Sequence, residues 1–373
     1  MKSPRARILI VDDHLDEQRA LAVLLRRHAL AEVVHPQAVA LRDVTTADLV
    51  LVDYRLDNWA ERDTSPALSL RPINGIALAA VLRAHCETPD RAPTGFAIHS
   101  GHLPELTGGL PPEHREHLIA RGRNLEWAFP KVQTVDGVSL VDQIVALSRA
   151  IRALPRSWPA GAAHTRSLAA RLLALTPTAA WSEQAWDDVE SCHPPLHEIS
   201  QRSHGLAFLR WLLHWVLPYP TFLYDTYRLA ARLRVSPAAL RHRLEASDRL
   251  NSVFGSYRYN GVLAGFLGQR WWKAGIETFL WKESRGNAFA PETLRPLLRR
   301  FGLHSSGLKD PVVCVDEHFT PLRDLQEAAA AIRIQPDDWP PYADQAWTTL
   351  ELAKATPALA ALALEQDRAR LEQ

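Results

Sequence analysis

The chain has 373 residues, 47% of them hydrophobic and 23% charged, with a formal net charge of +1. That length can bury two or three separate cores, and the near-neutral balance excludes a generally polycationic binder, so any nucleic-acid contact must rest on local charge. Cys86, Cys192 and Cys314 lie far apart with no CxxC, which predicts a reducing, cytoplasmic setting without a zinc motif; no apolar run reaches the length of a membrane span and the N-terminus lacks a signal-peptide core, so no membrane is expected.

In chain order the first signal is Ile8-Leu9-Ile10-Val11. Four consecutive apolar residues, β-branched at three positions, predict a strand buried on both faces of a parallel sheet. It ends in Asp12 and Asp13, at the strand edge where open α/β sheets bind ligands. Leu15, Leu21, Leu24 and Leu25 carry a helical spacing, and Ala31–Val34 reads as a second strand. The third, Leu49–Val52, ends in Asp53. Three carboxylates thus meet at one edge, which calls for a hard divalent cation with oxygen ligands, most simply Mg2+. Gly75–His85 reads as a helix, Phe96–Ile98 as the fourth strand ending at His99-Ser100, and Leu125–Phe129 as the fifth ending at Lys131. A last helix starts near Ser139, with Asp142 as a capping-box partner, and runs through Ile151. The alternation predicts a flavodoxin-like, doubly wound, five-stranded parallel sheet.

The stretch Ile8–Asp13, then Asp53, then Ile98-His99-Ser100, then Lys131 resembles the receiver domain of two-component response regulators. The resemblance implies that Asp53 is the phosphoacceptor, attacking a phosphoryl group to give an acyl phosphate. It implies that Asp12, Asp13 and Asp53 hold Mg2+. Ser100 and Lys131 would bind phosphoryl oxygens, and a sensor histidine kinase would be the partner. No enzyme activity beyond this self-phosphorylation is expected of the receiver, and enzyme activity of the output domain is left open. Three departures stand out. The connection from Asp53 to Gly75 is far longer than a usual βα loop of about 2–6 residues and carries Trp59, Arg62 and Arg71. The stretch from Ser100 to Lys131 is also expanded. Pro130 precedes Lys131 and Val132 follows it, where family members usually have proline after the lysine, and Trp127 and Phe129 flank Ala128 where a switch aromatic is expected. His99, His102, His114 and His117 read as solvated loop histidines.

The domains read as 1–154 for the receiver, 155–161 for a linker with two prolines and a glycine, and 162–373 for a mostly helical output domain. Ten of the twelve tryptophans lie from Trp158 onward. Phe208, Trp211, Leu212 and Trp215 predict one buried helical stripe, and Gly261, Gly265 and Gly268 predict close helix packing. Val312–Val315 reads as a strand, with helices near Ala343–Lys354 and Pro357–Arg370. His193, His197 and Glu198 are separated by paired prolines that break a helical metal site, and Asp316-Glu317-His318 reads as a turn.

Tyr227–Leu244 resembles a helix-turn-helix. Leu233, Val235, Leu240 and Leu244 would form its core, Ser236 and Pro237 would start the second helix, and Arg241 and Arg243 would face a nucleic acid. Arg234 stands where such motifs usually have glycine in a left-handed turn, at a cost of roughly 1 kcal/mol. Residues 201–300 hold sixteen Arg/Lys against six Asp/Glu, a net of +10, a local footprint for phosphates. Besides an unrecognised enzyme, two outputs stay open. One is DNA-binding transcriptional control, with a homodimer formed on phosphorylation placing two helices on a two-fold site. The other is a receiver-controlled protein-interaction module.

Overall fold

A computed structural model describes residues 5–60, 62, 72–86, 92–107, 115–131, 137–200, 205–288 and 290–372. Its first part is a five-stranded parallel sheet in the order β2-β1-β3-β4-β5. The strands are β1 (Arg7–Val11), β2 (Leu30–Val34), β3 (Leu49–Val52), β4 (Gly95–Ser100) and β5 (Trp127–Pro130). Helices α1 (Leu15–Leu25), α2 (Leu41–Thr46), α3 (Gly75–Ala84), α4 (Glu116–Gly122) and α5 (Leu140–Ala153) connect and follow them.

Alternation along the strands dictates the layers. Leu9, Val11, Val50, Val52, Phe96 and Ile98 point to the face covered by Val44, Leu78 and Ile119 from α2, α3 and α4. The opposite face receives α5, close enough that a Cβ on Gly95 would meet Ile151 Cδ1 at 2.3 Å. Two helix starts follow from their caps. Asn74 accepts from the Ala77 N–H at 3.0 Å, and Ser139 accepts from the Asp142 N–H at 3.1 Å.

The chain divides into two compact units, and the division differs from the expected 155–161 boundary. The first unit is 1–174 with 194–218 and 261–268; the second is 175–193, 219–260 and 269–373. The segment expected as a linker, 155–161, carries an apolar anchor. Trp158 is 7% exposed and lies 5.6 Å from the Phe208 ring. The helix Leu206–Trp211 continues into a π-helical stretch, Leu212–Val216. That extra width shifts the phase of the predicted stripe: Phe208, Trp211 and Leu212 are buried, but Trp215 turns outward beneath the Arg121 guanidinium, 4.3 Å from its ring.

The three glycines after residue 260 do not sit in a packed helix. Gly261 lets the backbone approach Leu173, whose carbonyl oxygen would be 2.6 Å from an added Cβ, and Gly265 and Gly268 take positive φ in a tight turn. That turn presents Phe266, which meets Trp127 edge-on at 4.9 Å, while Gln143 donates to the Phe266 carbonyl at 3.1 Å.

In the second unit the helices Thr226–Leu233 and Pro237–Ala246 pack with Asp248–Gly255, and Leu233, Val235, Leu240 and Leu244 are buried in one cluster with Phe254, Trp271 and Leu280. Arg234 takes the left-handed conformation between the first two, φ 58° and ψ 40°. The tail differs from expectation. The strand near 312 is Pro311–Val312, paired with Gln326–Glu327. The helix expected from Ala343 is replaced at its start by a strand, Ala346–Thr349, paired antiparallel with Ala331–Ile334. Ala346 and Thr348 face inward, a period of two that the helical reading overlooked. The helix expected over Pro357–Arg370 is two short ones, Pro357–Ala361 and Glu365–Arg368.

Candidate functional site

The parallel register brings the acidic residues together. Ile8 to Val11 pair with Leu49 to Val52, so β1 and β3 end level, and the Asp53 N–H donates to the Val11 carbonyl at 2.9 Å. Asp12, Asp13 and Asp53 each bring a carboxylate oxygen within 4.8 Å of the others. On the same edge Lys131 follows β5, with Nζ 3.1 Å from Asp53 Oδ1 and 3.8 Å from Asp12 Oδ2. Ser100 ends β4 between them in the sheet order, fully buried, its Oγ accepting from the His102 N–H at 3.0 Å. The five site positions expected from sequence therefore gather at one edge.

Electrostatics there are unbalanced. Asp12 is 1% exposed, and burial pushes its carboxyl up to about 6, against a hydrogen bond from the His14 N–H. Burial also raises Asp53, although the Lys131 ammonium pulls the other way. Asp12 Oδ2 and Asp13 Oδ1 are buried and accept no hydrogen bond from a described residue. Buried carboxylate oxygens left without donors carry a desolvation cost that a cation would offset. The donor set is oxygen only, the chemistry of a hard divalent ion.

The loop after β3 closes one side of this site by fixed contacts. The Asn58 N–H donates to Asp13 Oδ2, and the buried Trp59 indole donates to Gln37 Oε1 at 2.8 Å. Gly75 returns the chain so tightly that a Cβ would stand 1.8 Å from the Asp53 carbonyl oxygen. Arg71 and the centre of this insert, with His114 and Val132, lie outside the described residues.

Two of the four histidines are not solvated. His99 and His117 are 6% and 5% exposed, and burial lowers both; His99 falls to about 4, with the Lys131 charge adding to the effect. His102 is exposed, its Nδ1 3.1 Å from Glu105 Oε1.

Sequence reasoning missed a second cluster, around Glu126 at the start of β5. Its carboxylate is wholly buried, accepts from the Phe96 N–H, and is held by Arg210 through Nε at 2.7 Å and Nη2 at 2.6 Å. His214 Nε2 lies 3.0 Å from the Glu126 carbonyl oxygen. The available signal was a lone charge inside Leu125-Glu126-Trp127-Ala128-Phe129, which requires a buried partner.

The two arginines expected at a nucleic acid separate. Arg241 is exposed, 5.8 Å above the Tyr227 ring. Arg243 instead donates from Nε and Nη2 to the Phe301 carbonyl, at 3.1 and 2.9 Å, and so anchors the end of the helix Pro291–Arg300. His193 and Tyr342 rings meet edge-on, and Asp316 Oδ1 accepts from the His318 and Thr320 N–H groups, the turn expected there. Among the described residues no helix is long and apolar enough to cross a membrane.

Comparison with family models, curated proteins and solved structures finds no match to this chain.

Proposed function

We propose that residues 5–154 work as a phosphorylation switch of the response-regulator receiver kind. The observation that carries this reading is the convergence of Asp12, Asp13 and Asp53 with the Lys131 ammonium at the carboxyl edge of the sheet. An Asp53 oxygen attacks the phosphorus of a phosphohistidine on a sensor histidine kinase. The O–P bond forms, the P–N bond breaks, and the imidazole leaves with a proton from solvent. Asp12, Asp13 and Asp53 would hold Mg2+, which would supply positive charge beside the phosphoryl oxygens. Lys131 and Ser100 bind those oxygens once Lys131 gives up its ion pair with Asp53.

The test is incubation with acetyl phosphate and Mg2+ followed by mass measurement. The expected result is one base-labile phosphoryl group on the wild type and none on Asp53→Asn. Equal labelling of both proteins would overturn the assignment.

For the output we propose binding of a phosphate-rich partner, DNA first, through the exposed face of Pro237–Ala246, with a receiver-controlled protein-interaction module as the rival. Arg241 is the contact and Arg243 the anchor. Arg241→Ala is then expected to leave the melting temperature unchanged and to flatten the slope of log K against log salt by about 1. Arg243→Ala is expected to lower the melting temperature. Salt-independent binding would favour the protein-interaction reading.

A further inference from the structure

The second unit contains a cavity of about 470 Å³ that the phosphorylation switch does not use. Its volume lies in the range of small-molecule sites. One wall is the outer strip of the helix Thr226–Leu233: Arg228, Ala231 and Arg232 share a helical face, and Arg234 follows in its left-handed turn. The facing wall is made by Pro311–Val313 and the segment around the strand Ala346–Thr349, and it supplies the indoles of Trp339 and Trp347.

The guanidiniums at this wall are largely withdrawn from solvent, their side chains 18%, 13% and 17% exposed for Arg228, Arg232 and Arg234. Each is fixed by a carboxylate. Arg228 pairs with the buried Asp225. Arg232 grips Glu277 with Nε and Nη2, both at 2.7 Å, and reaches the Ala288 carbonyl with Nη1. Arg234 pairs with Asp310 at 3.1 Å.

The division of labour among them is informative. Arg232 spends its fork on protein acceptors. Among the described residues Arg228 gives one side-chain N–H to Asp225 and Arg234 one to Asp310. Each guanidinium carries five donors, so most of theirs are unspent at the cavity wall. The other charged group in the lining, Asp344, is taken by the Lys273 ammonium at 2.9 and 3.0 Å, so it does not compete for those donors.

Fixed guanidiniums with donors in hand match phosphate oxygens in geometry and charge. The tryptophans in the lining match a flat ring, since bases stack on aromatic faces. We propose that this cavity binds a nucleoside monophosphate, with the phosphate at Arg228 and Arg234 and the base against Trp339 and Trp347. The protein would then take two inputs, a phosphoryl group on its first unit and a small nucleotide on its second. This proposal does not depend on phosphorylation of Asp53.

Titration calorimetry of the full chain with the four ribonucleoside 5′-monophosphates, adenosine, ribose 5-phosphate and inorganic phosphate tests it. At least one monophosphate is expected to bind at least tenfold more tightly than ribose 5-phosphate and than its own nucleoside. Arg234→Gly removes a guanidinium at a position where φ 58° suits glycine, so the fold and melting temperature are expected to hold while affinity falls at least tenfold. Trp347→Leu is expected to bring the monophosphate down to the level of ribose 5-phosphate. The proposal is overturned if no monophosphate binds saturably, if both variants bind as the wild type does, or if ribose 5-phosphate or the nucleoside binds as well as the monophosphate.

Discussion

At Asp12 burial sets a carboxyl against the fold that encloses it. Its carboxyl rises from 3.8 to about 6 because burial disfavours the charged form. The sign follows: with a raised folded pKa, the stability Asp12 contributes is full below pH 4 and is lost as pH rises through about 6. The loss is on the order of 3 kcal/mol at most, from about 1.4 kcal/mol per pKa unit. Asp12→Asn removes the charge and keeps the shape. In the absence of divalent ions at neutral pH it is expected to melt higher than the wild type, by about 2–4 °C per kcal/mol recovered. Added Mg2+ is expected to raise the wild type and leave the variant nearly unmoved. A variant that melts lower than the wild type without Mg2+ would show that the buried carboxylate is satisfied in some other way. His99 has the opposite sign. Lowered to about 4, it contributes stability above pH 6.5 that is lost as pH falls through 4.

Strand β5 has a role that its short length conceals. It delivers Lys131 to the acidic edge at one end and Glu126 to Arg210 at the other. Trp127 and Phe129, between them, meet Phe266 at 4.9 and 6.3 Å. The position of the lysine is therefore tied to Arg210 and Phe266, 79 and 135 positions downstream. Arg210→Ala leaves a fully buried carboxylate unpaired, which costs about 3–5 kcal/mol. Replacing both partners, Arg210→Met with Glu126→Gln, is expected to recover most of that loss. Urea denaturation of the single and double variants measures this coupling, and equal losses in both would mean the pair contributes through packing alone.

The chain passes between its two units several times, at 174–175, 193–194, 218–219, 260–261 and 268–269, so a single cut cannot separate them. The fragment 1–156 lacks the helix Leu206–Trp211 and the Phe266 turn, and with them the cover over Trp127 and Glu126. It is expected to melt well below the full chain and to expose a tryptophan to quenchers. Limited trypsin digestion is expected to leave the Trp158 region protected. Fragments near 1–156 and 157–373 that each unfold cooperatively at the full-chain temperature would contradict this division.

Much of the first unit was legible in sequence because its elements are determined locally. A run such as Leu49–Val52 has only one way to bury four apolar side chains, and a carboxylate at each strand end needs no partner to announce itself. The parallel alternation then brings the strand ends to one edge, so Asp12, Asp13 and Asp53 are legible in the sequence, while Ser100 and Lys131 are picked out by the family resemblance. The helix pair Thr226–Leu233 and Pro237–Ala246 was readable for the same reason, through its apolar spacing and proline start. Tertiary structure alone decided the rest. That Arg243 anchors a helix end while Arg241 stays exposed depends on where Phe301 lies. Trp215 turns outward because a π-helical stretch shifts its phase. Trp158, in the segment expected as a linker, packs on Phe208 fifty residues away. A cavity lined by Arg228, Arg234, Trp339 and Trp347 leaves no periodic trace, because its walls come from segments more than a hundred residues apart whose meeting is determined by packing rather than by local preference.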